Sequence, residues 1–241
     1  MNLVPVSRER HQHKCLRPIS SFVHAAGTAA IEVVIGELAQ IVACYPIFFI
    51  RQEGRLKLIA LLGLAQGENL FVDGAGIWTG LYVPATLRCF PFTLARQENS
   101  DNLTVMIDED SGLLADDGGE ALFGNDEGEP NGPLARAIQL LGQINAEATR
   151  TQALAKQLDD LGLLTANSLQ VERGGAPQAF SGILSVDESA LNALSDEAFL
   201  TLRHSGALVL AQAQMLSLGQ LAGLQLKANL RDGLRVVGVP S

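Results

Sequence analysis

The sequence predicts an α+β protein, with a mostly antiparallel sheet in the N-terminal half packed with a helix-rich C-terminal half. Short apolar runs separated by turn residues fill residues 47–107. A long helical pattern then runs from Leu134 to about Leu161, and helical segments continue to about Leu230. Hydrophobic residues make up 47% of the 241-residue chain, which is enough to form a large core.

The N-terminal segment is predicted to start at the surface and to lead into a helix. Residues 7–14 are all polar, which places His11 and His13 in solvent. From Ile31 to Tyr45, apolar residues recur at helical spacing, and Pro46 stops the helix because proline disrupts the next turn.

The sheet begins with a hairpin in which residues 47–50 and 56–64 pair around a turn at 52–55. Residues 47–50 do not alternate between apolar and polar, so both faces of this strand are expected to be covered. Residues 81–95 contain two prolines and are expected to form broken or edge strands. Residues 103–107 predict a regular strand.

Residues 108–132 are dense in aspartate, glutamate and glycine and predict a long acidic loop. The chain is interpreted as a single α+β domain over residues 1–241, and this loop is its best candidate for an internal boundary. Asp108 and Asp110 begin like a calcium-binding loop, but Gly112 stands where an oxygen ligand is wanted and Leu113 where glycine is needed. Asp116, Asp117 and Glu120 could still supply oxygen ligands. Asp108 and Asp110 are therefore weak metal candidates, and no metal site is predicted.

The C-terminal half holds a second predicted hairpin. Residues 165–171 and 180–184 read as strands, with Gly174 and Gly175 in the turn. Ser185 then fits a capping box that would open a short helix.

An uncharged stretch at residues 205–226 has the length of a membrane span. Gln212 and Gln220 lie on one side of the helix that it would form, and Gln214 and Gln225 lie on the other. Amides on both sides do not suit a lipid-facing helix. The stretch therefore predicts a buried helix or a pair of helices, and no membrane span.

The net charge and the cysteine content restrict the kinds of ligand and the cellular location that we expect. The formal net charge of −9 disfavours nucleic acid and anionic lipid surfaces as ligands. Cys15, Cys44 and Cys89 are odd in number and widely spaced, which argues against a disulfide framework and fits a reducing, cytoplasmic location. Cys44 and Cys89 lie in apolar surroundings and are expected to be buried.

Catalytic signatures are missing from the sequence. It contains no HExxH, GxSxG or Walker A motif, so we predict no catalytic residues and no cofactor. A catalytic triad assembled in space, with His204 as its base, stays open because triads do not depend on sequence order.

Asp73, Trp78, Tyr82 and Arg88 form the best candidate binding site. They bring rigid aromatic rings and an arginine together in a proline-containing stretch, and such residues often anchor binding. The alternative is a structural corner. In it, the Trp78 side chain finds its hydrogen-bond partner within the chain, and the arginine pairs with a loop carboxylate. The sequence leaves both interpretations open.

The same stretch carries GL at 63–64, NLFVD at 69–73, GIW at 76–78, YVPA at 82–85, LR at 87–88 and FPF at 90–92. Further along the chain are IDEDS at 107–111, EALF at 120–123, VDE at 186–188 and MLSL at 215–218. In these segments and in their order, the chain resembles the SapC family of bacterial proteins. Cys89 stands where the family is expected to have a basic or polar residue. The resemblance implies a role in surface-layer export or assembly, or in loci for TonB-dependent uptake, and it supplies no catalytic or binding residues.

The favoured hypothesis is a non-enzymatic accessory protein that binds a protein or peptide partner in such a pathway. One alternative is an enzyme of a modification cluster, with a small-molecule or peptide pocket near Trp78, Tyr82 and Arg88. Another is a structural subunit of a homo-oligomer, assembled through the C-terminal helices.

Overall fold

The structure is a computed structural model that describes residues 2–96, 102–124, 128–173 and 176–233. The strands in chain order are β1 (Leu3–Pro5), β2 (Cys15–Leu16), β3 (Ala30–Glu32), β4 (Ile47–Gln52), β5 (Arg55–Leu61), β6 (Phe92–Arg96), β7 (Leu103–Asp108), β8 (Leu114–Ala115), β9 (Glu120–Ala121), β10 (Leu164–Arg173) and β11 (Ala176–Val186). The helices are α1 (Arg8–His11), α2 (Leu38–Ile41), α3 (Ala85–Arg88), α4 (Gly132–Asp160), α5 (Glu188–Asn192), α6 (Asp196–Ser205), α7 (Ala207–Ser217) and α8 (Gln220–Arg231).

The chain divides into two compact units. Unit 1 comprises Met1–His24 and Ala85–Ala146, and unit 2 comprises Ala25–Pro84 and Glu147–Ser241. The acidic segment 108–132 lies within unit 1. The prediction of a single domain stays a prediction.

Unit 1 carries two small antiparallel sheets, with strand orders β1-β7-β6 and β8-β2-β9. Strand β6 lies at an edge, as the prolines before it predicted. Apolar side chains from β6, β7 and the start of α4 form the core of the unit. Its buried residues are Cys89, Phe92, Ile107, Leu122, Phe123, Leu134, Ala137 and Leu141.

Unit 2 contains a five-stranded antiparallel sheet in the order β10-β11-β4-β5-β3. The predicted β4–β5 hairpin forms its centre, and Ile47, Phe48 and Phe49 are fully buried, as the absence of alternation predicted. The second predicted hairpin, β10–β11, joins the same sheet through pairing of Ile183 with Ile50. Its glycine turn lies outside the described residues. The α+β fold class is confirmed.

Helix α7 is joined to this sheet by two buried polar side chains. The Gln214 amide oxygen accepts from the Val186 N–H at 3.0 Å, and its nitrogen donates to the Ile47 carbonyl at 3.2 Å. The Ser217 hydroxyl accepts from the Ile47 N–H at 3.0 Å. These bonds satisfy backbone groups that would otherwise be buried without partners, which is costly.

Within the described residues, one helical stretch, Ala207–Arg231, is long and apolar enough by length and composition to cross a membrane. Core helices of soluble proteins pass the same test, and Gln214 and Ser217 lie buried within this stretch. Leu218 and Gly219 separate α7 from α8 but keep right-handed helical backbone angles, so the stretch forms two consecutive helices. Only 33% of its most apolar 18-residue window is buried, so the predicted burial holds in part. The absence of a membrane span stays a prediction.

The helix predicted from Ile31 to Tyr45 is wrong over most of its length. Ile31 lies in the edge strand β3 and pairs with Ala60, and only Leu38–Ile41 forms an α-helix. The β-branched residues at the start of this segment suit an extended backbone, and sheet pairing outweighs their helical spacing.

Two further predictions need correction. Ser185 is not a cap but a buried residue of β11, and the cap of α5 is Asp187, whose carboxylate accepts from the Ala190 N–H at 3.0 Å. The acidic segment is not simply a loop, because strands β8 and β9 within it pair with β2. Residues 125–127 of that segment lie outside the described residues.

Candidate functional site

Three of the four predicted site residues belong to unit 2, where Trp78 and Tyr82 are joined by hydrogen bonds. The Trp78 indole N–H donates to the Tyr82 carbonyl at 3.0 Å, and the Tyr45 hydroxyl donates to the same carbonyl. The Tyr82 hydroxyl donates to Oε2 of the buried Glu37 at 2.8 Å. We call these four residues the aromatic corner.

Burial controls the chemistry of the aromatic corner. Tyr45 is fully buried, and this burial raises the pKa of its hydroxyl above the usual value, so the group stays a proton donor. Gly80 is required beside it, because a Cβ there would lie 2.7 Å from the Tyr45 oxygen and 2.8 Å from the Trp78 nitrogen. The polar atoms of the corner are thus used to hold the chain together.

Asp73 has a local structural role in the loop that leads to Trp78. One of its carboxylate oxygens accepts from the Ala75 N–H at 2.9 Å and from the Ile77 N–H at 2.8 Å. Such bonds fix a turn by satisfying backbone donors. The predicted binding role of Asp73, Trp78 and Tyr82 stays a prediction.

Arg88, the fourth predicted residue, belongs to unit 1 and lines a cleft of about 330 Å3. We call this the arginine cleft, because Arg17 and Arg136 line it as well. The other lining residues are mainly apolar. They are Leu16, Pro18, Ile19, Cys89, Phe90, Phe92, Glu120, Pro133, Ala137 and Leu140.

The small sheet β8-β2-β9 positions one wall of the arginine cleft. Leu16 pairs with Glu120 across β2 and β9, and Arg17 follows directly, with its N–H donating to the Leu113 carbonyl at 2.9 Å. Gly119 allows this close approach, because a Cβ there would lie 2.4 Å from the Leu16 carbonyl oxygen. The first turns of α4 supply Arg136 on the other side.

Two of the arginines already hold carboxylates from their own chain. Nη2 of Arg136 lies 3.0 Å from both carboxylate oxygens of Glu120, and Nη2 of Arg17 lies 3.6 Å from Oδ1 of Asp117. The side chains of Glu120 and Asp117 are 63% and 93% exposed. Exposed ion pairs of this kind contribute about 0–1 kcal/mol to stability, so they exchange easily.

An aromatic stack lies at one side of the arginine cleft. The His24 ring stacks on Phe90 at a centroid distance of 3.7 Å and an interplanar angle of 5°. Partial burial lowers the pKa of His24 below its ordinary value, because it disfavours the charged ring. Cys89, which also lines the arginine cleft, is buried, as predicted. The prediction that Cys44 is buried needs correction, because Cys44 is only half-buried.

The metal candidates take part in a cluster around the N-terminal segment of unit 1. Asp108 accepts from the Asn2 N–H at 2.7 Å and from the Asp110 N–H at 3.2 Å, which makes it a cap of the next turn. Among the described residues, no group of three or more histidine, cysteine, aspartate or glutamate side chains is arranged to hold a metal ion.

His11 is fully buried, so the expectation that it lies exposed is wrong. Its Nδ1 atom bonds to the Ser7 backbone at 3.1 Å, and its Nε2 atom lies 3.3 Å from Glu109, within ion-pair range but without hydrogen-bond geometry. Two hydrogen bonds of 2.6 Å from Arg10 to Glu109 hold the pKa of that carboxyl below its usual value. His13 is exposed, as expected.

The arginine cleft suits an anion that carries an apolar body. Guanidinium groups recognise carboxylates through paired N–H donors, and the apolar lining buries a hydrocarbon group beside them. Sequence reasoning found Arg88 but missed Arg17, Arg136 and Glu120, because nothing in the local sequence around them indicates a site.

Comparison with known proteins agrees with the family suggested by the motifs. The family model described as SapC matches residues 6–224, which is most of the chain. No curated protein and no solved structure matches the chain. Because the match extends across both units, the chain belongs to the SapC family.

Proposed function

We propose that this SapC-family chain is a non-enzymatic accessory protein that binds a protein or peptide partner through the arginine cleft. The observation that carries the proposal is a recess of about 330 Å3 that combines three arginines with an apolar floor. The whole chain carries a net charge of −9, so a local concentration of arginines marks a place where an acidic group is attracted.

The chemistry of the arginine cleft fits binding more directly than it fits catalysis. Its lining contains three guanidinium groups, which donate hydrogen bonds and accept none. Cys89 lines the cleft but is only 2% exposed, and it packs with apolar side chains. The other lining residues with reactive groups are Glu120, which is paired with Arg136, and Cys89, so this composition favours the binding of a ligand over its conversion.

The pathway is proposed from the family. Resemblance to the SapC family implies a role in surface-layer export or assembly, or in TonB-dependent uptake loci. A cytoplasmic accessory protein in either setting would bind a component of the secretion or uptake machinery, or its substrate chain.

The test is affinity capture of the tagged protein from its native host with quantitative mass spectrometry. The cleft variant combines Arg88→Gln and Arg136→Gln, and the matched control combines Arg55→Gln and Arg203→Gln, two exposed arginines of unit 2. The native and control proteins should recover one partner in near-stoichiometric amount. The amount of this partner recovered with the cleft variant should be lower by about tenfold or more.

Equal recovery by the cleft variant would contradict the proposal. Thermal unfolding of each variant must first show that the folds are intact. Recovery of additional copies of the same chain alone would favour the structural-oligomer hypothesis instead.

A further inference from the structure

We infer that the arginine cleft recognises the carboxylate of a peptide C-terminus that ends in an apolar residue, and that Glu120 competes with it for Arg136. This inference rests on the function proposed above and names the chemistry of the partner.

The ion pair between Glu120 and Arg136 is the first reason. A carboxylate already lies at the arginine cleft, with both oxygens 3.0 Å from one guanidinium nitrogen. Both side chains are more than 60% exposed, at 64% for Arg136 and 63% for Glu120. The pair is therefore weak, and a ligand carboxylate can replace Glu120 at small cost.

The shape of the arginine cleft is the second reason. Its volume of about 330 Å3 lies near the lower limit of small-ligand sites, which span about 300–1,000 Å3. The space therefore suits the last one or two residues of a chain, on the order of a small ligand in size, and not a folded surface.

The apolar floor beside the arginines is the third reason. Leu16, Ile19 and Phe92 line the same recess as Arg17 and Arg136. An aspartate or glutamate side chain offers a carboxylate with only one or two methylene groups beside it. A C-terminal leucine or phenylalanine carries its α-carboxylate and its apolar side chain on one carbon atom, so it matches both parts.

The proposed competition predicts opposite effects of two substitutions. Glu120→Gln removes the internal competitor without changing its shape, so it should increase the affinity for a peptide acid by about threefold. Arg136→Gln removes the charge that both carboxylates share, so it should reduce this affinity by about tenfold. A purely structural role of the pair would not give a gain of affinity in either variant.

The experiment uses the full chain and a fluorescently labelled short peptide of glycine and serine that ends in leucine-phenylalanine. Fluorescence anisotropy compares its free-acid and C-terminal amide forms, with N-acetylphenylalanine as an unlabelled competitor. The acid should bind about tenfold more tightly than the amide, and N-acetylphenylalanine, which lacks the penultimate leucine side chain, should compete only weakly. Arg55→Gln is the control and should leave both affinities unchanged.

Equal binding of acid and amide, or no binding of either, would overturn the inference. Binding of N-acetylphenylalanine as tight as that of the peptide would overturn the assignment to a chain end, in favour of a small carboxylic acid. The proposed function has its own readout: if the cleft variant still loses its partner in the capture experiment, cleft-mediated binding stands while the C-terminal assignment fails.

Discussion

The aromatic corner of unit 2 and the arginine cleft of unit 1 use their polar groups in different ways. In the corner, the Trp78 and Tyr45 donors converge on one backbone carbonyl, and Tyr82 donates to a buried carboxylate. In the cleft, Arg17 and Arg136 pair with carboxylates that are 93% and 63% exposed.

This difference distinguishes residues that stabilise the fold from residues that are available to bind a ligand. Removing the Trp78 or the Tyr45 donor takes away a hydrogen bond that ties the chain together, which costs about 0.5–1.5 kcal/mol, while the second donor stays on the Tyr82 carbonyl. An exposed ion pair is worth about 0–1 kcal/mol and can exchange its partner. We therefore expect substitutions in the aromatic corner to change stability and substitutions in the arginine cleft to change binding.

The largest effect on stability is expected from Gly80→Ala. The new methyl group would displace the Tyr45 hydroxyl and the Trp78 indole nitrogen, which lie 2.7 and 2.8 Å from the Cβ position. Overpacking of this kind costs about 1–3 kcal/mol, and we expect the upper part of that range. Urea unfolding followed by the emission of Trp78, the only tryptophan, measures it. Gly74→Ala is the matched control, because a Cβ there meets no atom within 4 Å.

Tyr45→Phe should have the next largest effect, a loss of about 0.5–1.5 kcal/mol in the free energy of unfolding, because the Trp78 indole still donates to the Tyr82 carbonyl. It removes the donor to the Tyr82 carbonyl while keeping the ring that contacts Phe71 at 4.8 Å. The same unfolding experiment measures the change. A variant as stable as the native protein would show that the corner does not depend on this hydrogen bond.

Arg136→Gln should change the free energy of unfolding by less than about 0.5 kcal/mol, since its ion pair with Glu120 is exposed. This result would sharpen the comparison, because the same substitution is expected to weaken ligand binding. Chemical denaturation measures the stability. A loss as large as that of Tyr45→Phe would place the arginine among the structural residues and count against the proposed role.

The smallest effect is a dependence on pH at the edge of the arginine cleft. Partial burial against Phe90 lowers the pKa of His24 below 6.5, so the folded state binds fewer protons than the unfolded state between the two values. Stability should therefore fall slightly as the pH drops below 6.5 and level off below the folded-state pKa. Unfolding measured as a function of pH should lose this component in His24→Gln; an unchanged slope would contradict it.

Local patterns predicted the fold best where contacts are close in sequence. The β4–β5 hairpin formed as predicted because its turn and apolar runs are adjacent. Helix α4 starts close to Pro133, as predicted, and ends before Gly162, where the left-handed backbone angle of +69° favours glycine.

Long-range contacts decided the features that sequence reasoning missed. His11 is buried by its position beside Glu109, which is distant in sequence. Ile31 lies in a strand because it pairs with Ala60 of β5. The arginine cleft joins residues from β2, α3 and α4, and a single sequence contains no signal that these three segments meet.

The most direct test of the account is photocrosslinking in the native host from two positions. A benzophenone amino acid replaces Ile19, which lines the arginine cleft, or Leu81, which is 95% exposed beside the aromatic corner. We expect the position of Ile19 to crosslink a single partner, which is lost when Arg136→Gln is added, and the position of Leu81 to give none. Crosslinks from Leu81 alone would contradict the account and would make the aromatic corner the binding region.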